Sequence, residues 1–280
     1  MKTTIAWVLF AISFYSCSPK FGSAIQSKQP LLPQDEYILV LQREDVFVND
    51  GIEVGTISVG DNGFSVNCTY NEVIGRLKEV ARQNGANLIK IIEQKSPDAW
   101  NTCERIKAKI YKVPNFRVHE REIEWTATRR LTWEDFKGKP KIISNTNVAA
   151  QTYCGFSLES NRVTVFKKVK IFIKNTFDCN LSWVRQDQMS RDDLLEHEQV
   201  HFDLSQVYAR HLRKNLVEKN LTVNNLTTGT NSVFKDVYNA YLERQEMFET
   251  ETNYGLDREK QKLWAKKIVE ELTELNSWAE

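Results

Sequence analysis

His197-Glu198-Gln199-Val200-His201 constrains this chain more than any other stretch. An HExxH string has chemical meaning on a helix, where residues four apart lie on one face and the residue after the first histidine sits about 100° around the axis. Both imidazoles can then reach a single cation, and Glu198 can face a water beside it. Such a cation brings the water's pKa toward about 7, and a neighbouring carboxylate can take its proton, which is how zinc sites hydrolyse amides. With four histidines in 280 residues, composition alone would yield the string roughly once in a few hundred such chains. Ser190-Arg191-Asp192-Asp193 looks like a capped helix start with an acidic first turn. Leu194, Leu204, Tyr208 and Leu212 fall on the histidines' side, so the pair is expected to point inward. His119 and His211 lack such partners and are read as ordinary polar residues.

A catalytic zinc ion needs a third protein ligand and an open position. The extended HExxHxxGxxH form is absent, because Leu204 and Val207 stand where its glycine and third histidine would be. A carboxylate from another helix remains. Residues from about Ser232 to Asn253 have helical periodicity, with Val233, Val237, Tyr241 and Phe248 on one apolar face. Counted from Val237, Glu251 falls at about −40°, Glu249 near 120° and Glu246 near 180°. A carboxylate on a buried stripe needs a cation or a proton, so Glu251 is the expected third ligand and Glu249 the next candidate. Tyr254, three residues beyond Glu251, is a candidate hydrogen-bond donor to a developing oxyanion.

These residues resemble a family, the bacterial predicted secreted zinc-dependent proteases with an HEQxHFD signature. The similar stretches are Leu131-Thr132-Trp133-Glu134-Asp135-Phe136-Lys137-Gly138, Ser182-Trp183-Val184, His197 to Asp203, and Phe248-Glu249-Thr250-Glu251-Thr252-Asn253-Tyr254-Gly255. The last resembles a YDxETxHG element, but with Glu249 for its aspartate and Tyr254 for its histidine. Together they cover roughly the last 150 residues in the same order. The resemblance implies a zincin-like α+β domain over residues 116–280, zinc as cofactor and a peptide or protein as substrate.

Lys and Arg number 38 against 37 Asp and Glu, interleaved, for a net charge of +1; nothing in that balance suggests nucleic acid. Residues 1–16 have the form of an export signal, with an apolar run from Ile5 to Phe14 that is too short to span a bilayer. Cys17 follows a small residue after that run and resembles a bacterial lipobox, which makes it the expected lipidation site. A membrane partner through this anchor and a place in the bacterial cell envelope follow; cleavage after Ala24 would instead leave a secreted protein. Setting Cys17 aside leaves four of five cysteines. Cys68 could pair with Cys103 and Cys154 with Cys179 in an oxidising compartment, although four cysteines allow three pairings.

Residues 17–30, with Pro30, are expected to form a polar tether, and residues 31–115 a small α+β domain. In that domain, Tyr37–Leu41, Ile52–Val59, Leu88–Ile92 and Arg105–Val113 are expected strands of an antiparallel sheet, with a turn at Asp61-Asn62-Gly63. Val73, Ile74, Leu77, Val80 and Ala81 mark one helix, stopped at Asn84-Gly85. In the second domain, strands are expected at Ile123–Thr126, Ile142-Ile143, Val148–Leu158 and Val163–Phe177. Lys167, Lys168, Lys170 and Lys174 read as guards of an exposed sheet edge, one that an extended peptide could also join. Helices follow at about Arg191–Glu218, Ser232–Asn253 and Asp257–Leu275, with a polar loop over Asn220–Thr230. The expected activity is peptide-bond hydrolysis with Glu198 as general base. The rival expectation is an inactive zinc-binding envelope scaffold or sensor.

Overall fold

The computed structural model describes residues 19–60, 68–98, 101, 103–140, 148–160, 171–219 and 226–279. Cys17, the turn at 61–63, the strand at 142–143, Lys167, Lys168, Lys170 and residues 220–222 therefore lie outside the described residues. The content is α+β, and the chain divides into two units between Phe116 and Arg117.

In the first unit, β1 (Lys20–Ile25), β2 (Leu39–Leu41), β3 (Ile52–Gly60), β4 (Leu88–Lys95) and β5 (Arg105–Lys112) form one sheet in the order β1-β3-β5-β4-β2. The helix α1 (Tyr70–Gln83) buries Val73, Ile74, Leu77 and Ala81, the face its spacing marks, against that sheet. It starts where Glu72 accepts from both the backbone N–H and the hydroxyl of Thr69. It stops at Gly85, whose φ of +74° suits a residue without a Cβ. Cys68 and Cys103 are joined by a disulfide, tying the approach to α1 to the approach to β5.

Two expectations for this unit need correcting. Residues 20–25 are not tether but a strand paired with β3 from Lys20↔Gly60 to Ile25↔Gly55. Most of its side chains are exposed, so the backbone ladder rather than apolar burial holds it, and no alternation of apolar residues marks it in the sequence. Nor is the sheet wholly antiparallel, because β2 runs parallel to β4. A three-residue strand carries no signal of direction.

The second unit contains β6 (Glu122–Glu124), β7 (Ala150–Gln151), β8 (Cys154–Ser160), β9 (Ile171–Asp178) and β10 (Trp183–Val184), then α2 (Asp192–Glu218), α3 (Leu226–Glu251) and α4 (Arg258–Glu274). One sheet has the order β6-β9-β8, and β7 pairs with β10 in a second. The single strand expected over 148–158 is thus two, divided between sheets. Lys174 lies on β9, the middle strand of its sheet rather than an edge. α3 begins at Leu226, inside the stretch expected to be loop.

α2 is the axis of this unit. Leu194 and Phe202 pack with Ile123, Phe177 and Val184. Ala209, Leu212 and Leu216 meet Phe156, Val233, Val237 and Tyr241, while Val200, Leu204 and Val207 meet Phe248, Trp264 and Ile268. A helix covered on three sides must bury polar residues too, and it binds them: Ser205 donates to the Asn175 side chain at 2.6 Å and Gln199 to Asp203 at 2.8 Å.

Candidate metal centre

The two histidines of α2 and one carboxylate of α3 meet at a point. His197 Nε2 and His201 Nε2 are 3.2 Å apart. Glu249 places Oε2 at 3.4 Å from the first and Oε1 at 3.3 Å from the second. Among the described residues, His197, His201 and Glu249 are the group of three whose ligand atoms lie within 4.8 Å of one another. The helices run in opposite directions here, since His201 faces Gln245 while His197 faces Phe248 and Glu249.

Each ring is held differently. His197 is buried, stacked on the Phe248 ring at 4.7 Å between centroids, with Phe248 backed in turn by Trp264. Its other flank meets Gly255, where a Cβ would come within 2.9 Å of Nδ1. Gly255 reaches that place because α3 ends in three successive left-handed residues, Asn253 (φ 50°), Tyr254 (φ 53°) and Gly255 (φ 77°). The turn is fastened by the Tyr254 N–H donating to the Glu249 carbonyl at 2.8 Å and the Asp257 N–H to the Thr252 carbonyl at 2.8 Å. His201 is half-buried, and its Nδ1 lies 2.6 Å from Gln245 Oε1.

The charges of the triangle are strongly coupled. Burial disfavours the charged form of Glu249, but the two imidazoles more than offset it and hold the carboxyl down to about 2. For His201 burial likewise opposes charge, yet Glu249 and Glu198 raise its pKa above the ordinary imidazole value. Two ring nitrogens and a carboxylate forced together want a shared positive charge, and an N,N,O donor set is one that zinc accepts. The residues therefore fit a divalent ion. Glu198 is buried on the same helix, near enough for its charge to act on His201 and on the Cys154 thiol.

Glu251 is not brought to the histidines, which corrects its assignment as third ligand. Its carboxylate accepts from Trp264 Nε1 at 2.9 Å, on the α4 side of α3, in a groove shared with Arg244, Lys260 and Lys267. α3 is flanked by α2 and α4, so both edges of its inward stripe are occupied; Glu249 is on one edge and Glu251 on the other. Angular counting put Glu251 on the buried stripe and Glu249 well off it, whereas Glu251 is exposed and Glu249 is half-buried facing α2. The Tyr254 residue is 71 % exposed, and its side chain makes no hydrogen bond or ring contact among the described residues.

The Cys154–Cys179 pairing is also corrected, since both are free thiols. Cys154 Sγ lies 3.6 Å from the His201 carbonyl and 3.9 Å from the Tyr241 hydroxyl. Burial pushes each thiol up to about 12.

Buried polar residues on α2 and before it hold that helix in place. Gln199 Oε1 accepts the Leu131 N–H at 2.8 Å. Asp203 accepts from Gln199 Nε2 and Trp125 Nε1, both at 2.8 Å, and pairs with Arg130 at 3.0 Å. Arg129 forms a buried ion cluster with Glu120 and Asp135, each at 2.8 Å, and Asp135 also accepts from the Thr132 N–H. Gln245 is a site neighbour that sequence reasoning passed over. Its only signal was its place four residues before Glu249, on the same face.

Comparison of the chain with protein-family models, with curated proteins and with solved structures found no match.

Proposed function

We propose that this protein is a zinc-dependent metallopeptidase, with His197, His201 and Glu249 as metal ligands and Glu198 as general base. The observation that carries the reading is the convergence of the two Nε2 atoms and the Glu249 carboxylate. When bound, zinc would supply Lewis acidity, favouring ionisation of a water and polarising a peptide carbonyl. Glu198, buried beside the pair, would take the proton of the attacking water and deliver it to the leaving amine. His201 and His197 stay neutral as ligands, and Glu249 brings one negative charge to offset two on the ion. The likeness of Leu131–Gly138, Ser182–Val184, His197–Asp203 and Phe248–Gly255 to secreted zinc proteases supports the same reading. The N-terminal apolar run and Cys17 support export to the bacterial envelope with a lipid anchor; no helix among the described residues is long and apolar enough to cross a membrane.

The test is Glu198→Gln. The variant should bind one zinc per chain with wild-type affinity and lose roughly 10²- to 10⁴-fold in cleavage of a mixed peptide library. Wild-type cleavage by the variant, or wild-type cleavage that survives complete removal of metal, would overturn the proposal.

A further inference from the structure

We infer that Gln245 is a positioning residue that fixes His201 as its Nδ1–H tautomer, presenting Nε2 with a free lone pair to a divalent cation. The inference rests on the reading of His197, His201 and Glu249 as a metal site. It starts from the orientation of an amide. Gln245 Nε2 lies 3.2 Å from the backbone carbonyl of His201, which can only accept, and 2.9 Å from the Tyr241 hydroxyl. The NH₂ end of the amide must therefore face these two groups, which leaves Oε1 to face His201 Nδ1 at 2.6 Å. An amide oxygen only accepts, so the ring proton sits on Nδ1.

The rest of the network is consistent. The Tyr241 hydroxyl accepts from Gln245 and is 3.9 Å from Cys154 Sγ, and that thiol in turn reaches the His201 carbonyl at 3.6 Å. His201 is thus held by one side chain at both ring and backbone. His197 has no such holder: its buried Nδ1 has no hydrogen-bond partner among the described residues. A buried N–H without an acceptor is costly, so in the ion-free protein the neutral His197 ring keeps its proton on Nε2, facing His201 Nε2 and Glu249. The two rings then have opposite tautomers. To ligate through Nε2 as a neutral imidazole, His197 would have to move its proton to the partnerless Nδ1, whereas His201 Nε2 is already unprotonated.

Long-range ¹H–¹⁵N spectra of histidine-labelled full-length protein, freed of metal and kept above the imidazole titration range, read this directly, because only four histidines contribute. The expected result is Nδ1–H for His201 and Nε2–H for His197. Gln245→Met should release His201 into a mixture of tautomers and weaken Zn²⁺ binding by about 10- to 100-fold, whereas Gln245→Glu, which keeps an acceptor, should retain the Nδ1–H form. Nε2–H at His201 in the wild type overturns the inference, and that reading needs no variant to fold. A Gln245→Met protein with unchanged tautomer also overturns it. Wild-type protein that binds no divalent ion, yet shows the Gln245-dependent tautomer, would sink the metal reading and leave the positioning role intact.

Discussion

The choice between Glu249 and Glu251 is decided by two residues' distance along one helix. Glu249 reaches both Nε2 atoms, at 3.4 Å and 3.3 Å, while Glu251 accepts from Trp264. Glu249→Gln should therefore lower Zn²⁺ affinity by at least about 100-fold, and Glu251→Gln by less than about threefold, in titrations with a competing chelator. Equal losses in the two variants would refute the assignment. The convergence of His197 and His201 was legible because a spacing of four puts two imidazoles on one helix face. The carboxylate was not, because a glutamate's role on a helix flanked by two others depends on which neighbour it faces, and periodicity does not encode that. Gln245 was illegible for a related reason: an uncharged side chain on a half-buried face announces nothing until its partner is known.

At the level of elements, the positions of α2 and of the chain before it are fixed by buried polar groups. Asp203 takes hydrogen bonds from Trp125 and Gln199, and Gln199 takes one from the Leu131 N–H. Removing the carboxylate leaves two donors without an acceptor. Asp203→Ala should destabilise the second unit by about 3 kcal/mol. Asp203→Asn should cost less than half as much, since one oxygen survives and the Arg130 partner, 60 % exposed, contributes little. Urea unfolding followed by tryptophan fluorescence measures both; an alanine variant as stable as wild type would show that this network is dispensable. Here the sequence pattern was informative and its physical meaning hidden: Gln199 and Asp203 hold the helix in place while His197 and His201 turn toward Glu249. The bounds of α2 and α4 were anticipated within a residue or two by their apolar spacing, but α3 starts six residues before the expected Ser232. β1 and the direction of β2 were not anticipated, because both are set by backbone pairing with distant strands.

At the scale of the whole molecule, the two units are stabilised by different chemistry. The first has the Cys68–Cys103 link across 35 residues, which by loop-closure entropy contributes about 4 kcal/mol. The second has two free thiols, Cys154 half-buried and Cys179 buried, and the candidate metal centre. Calorimetry should resolve two transitions: thiol reductant should lower only one, and saturating Zn²⁺ should raise only the other, by an increment that grows with free ion concentration. A single transition that responds to both reagents would contradict this separation. The antiparallel contact of α2 and α3 gives the second effect its reason. An ion gripped by His197 and His201 from one helix and Glu249 from the other is a cross-brace, closing a chain loop as a disulfide does but removable by a chelator. Occupancy of the centre would then govern the rigidity of the C-terminal end of α3, and starvation for metal would loosen the scaffold there.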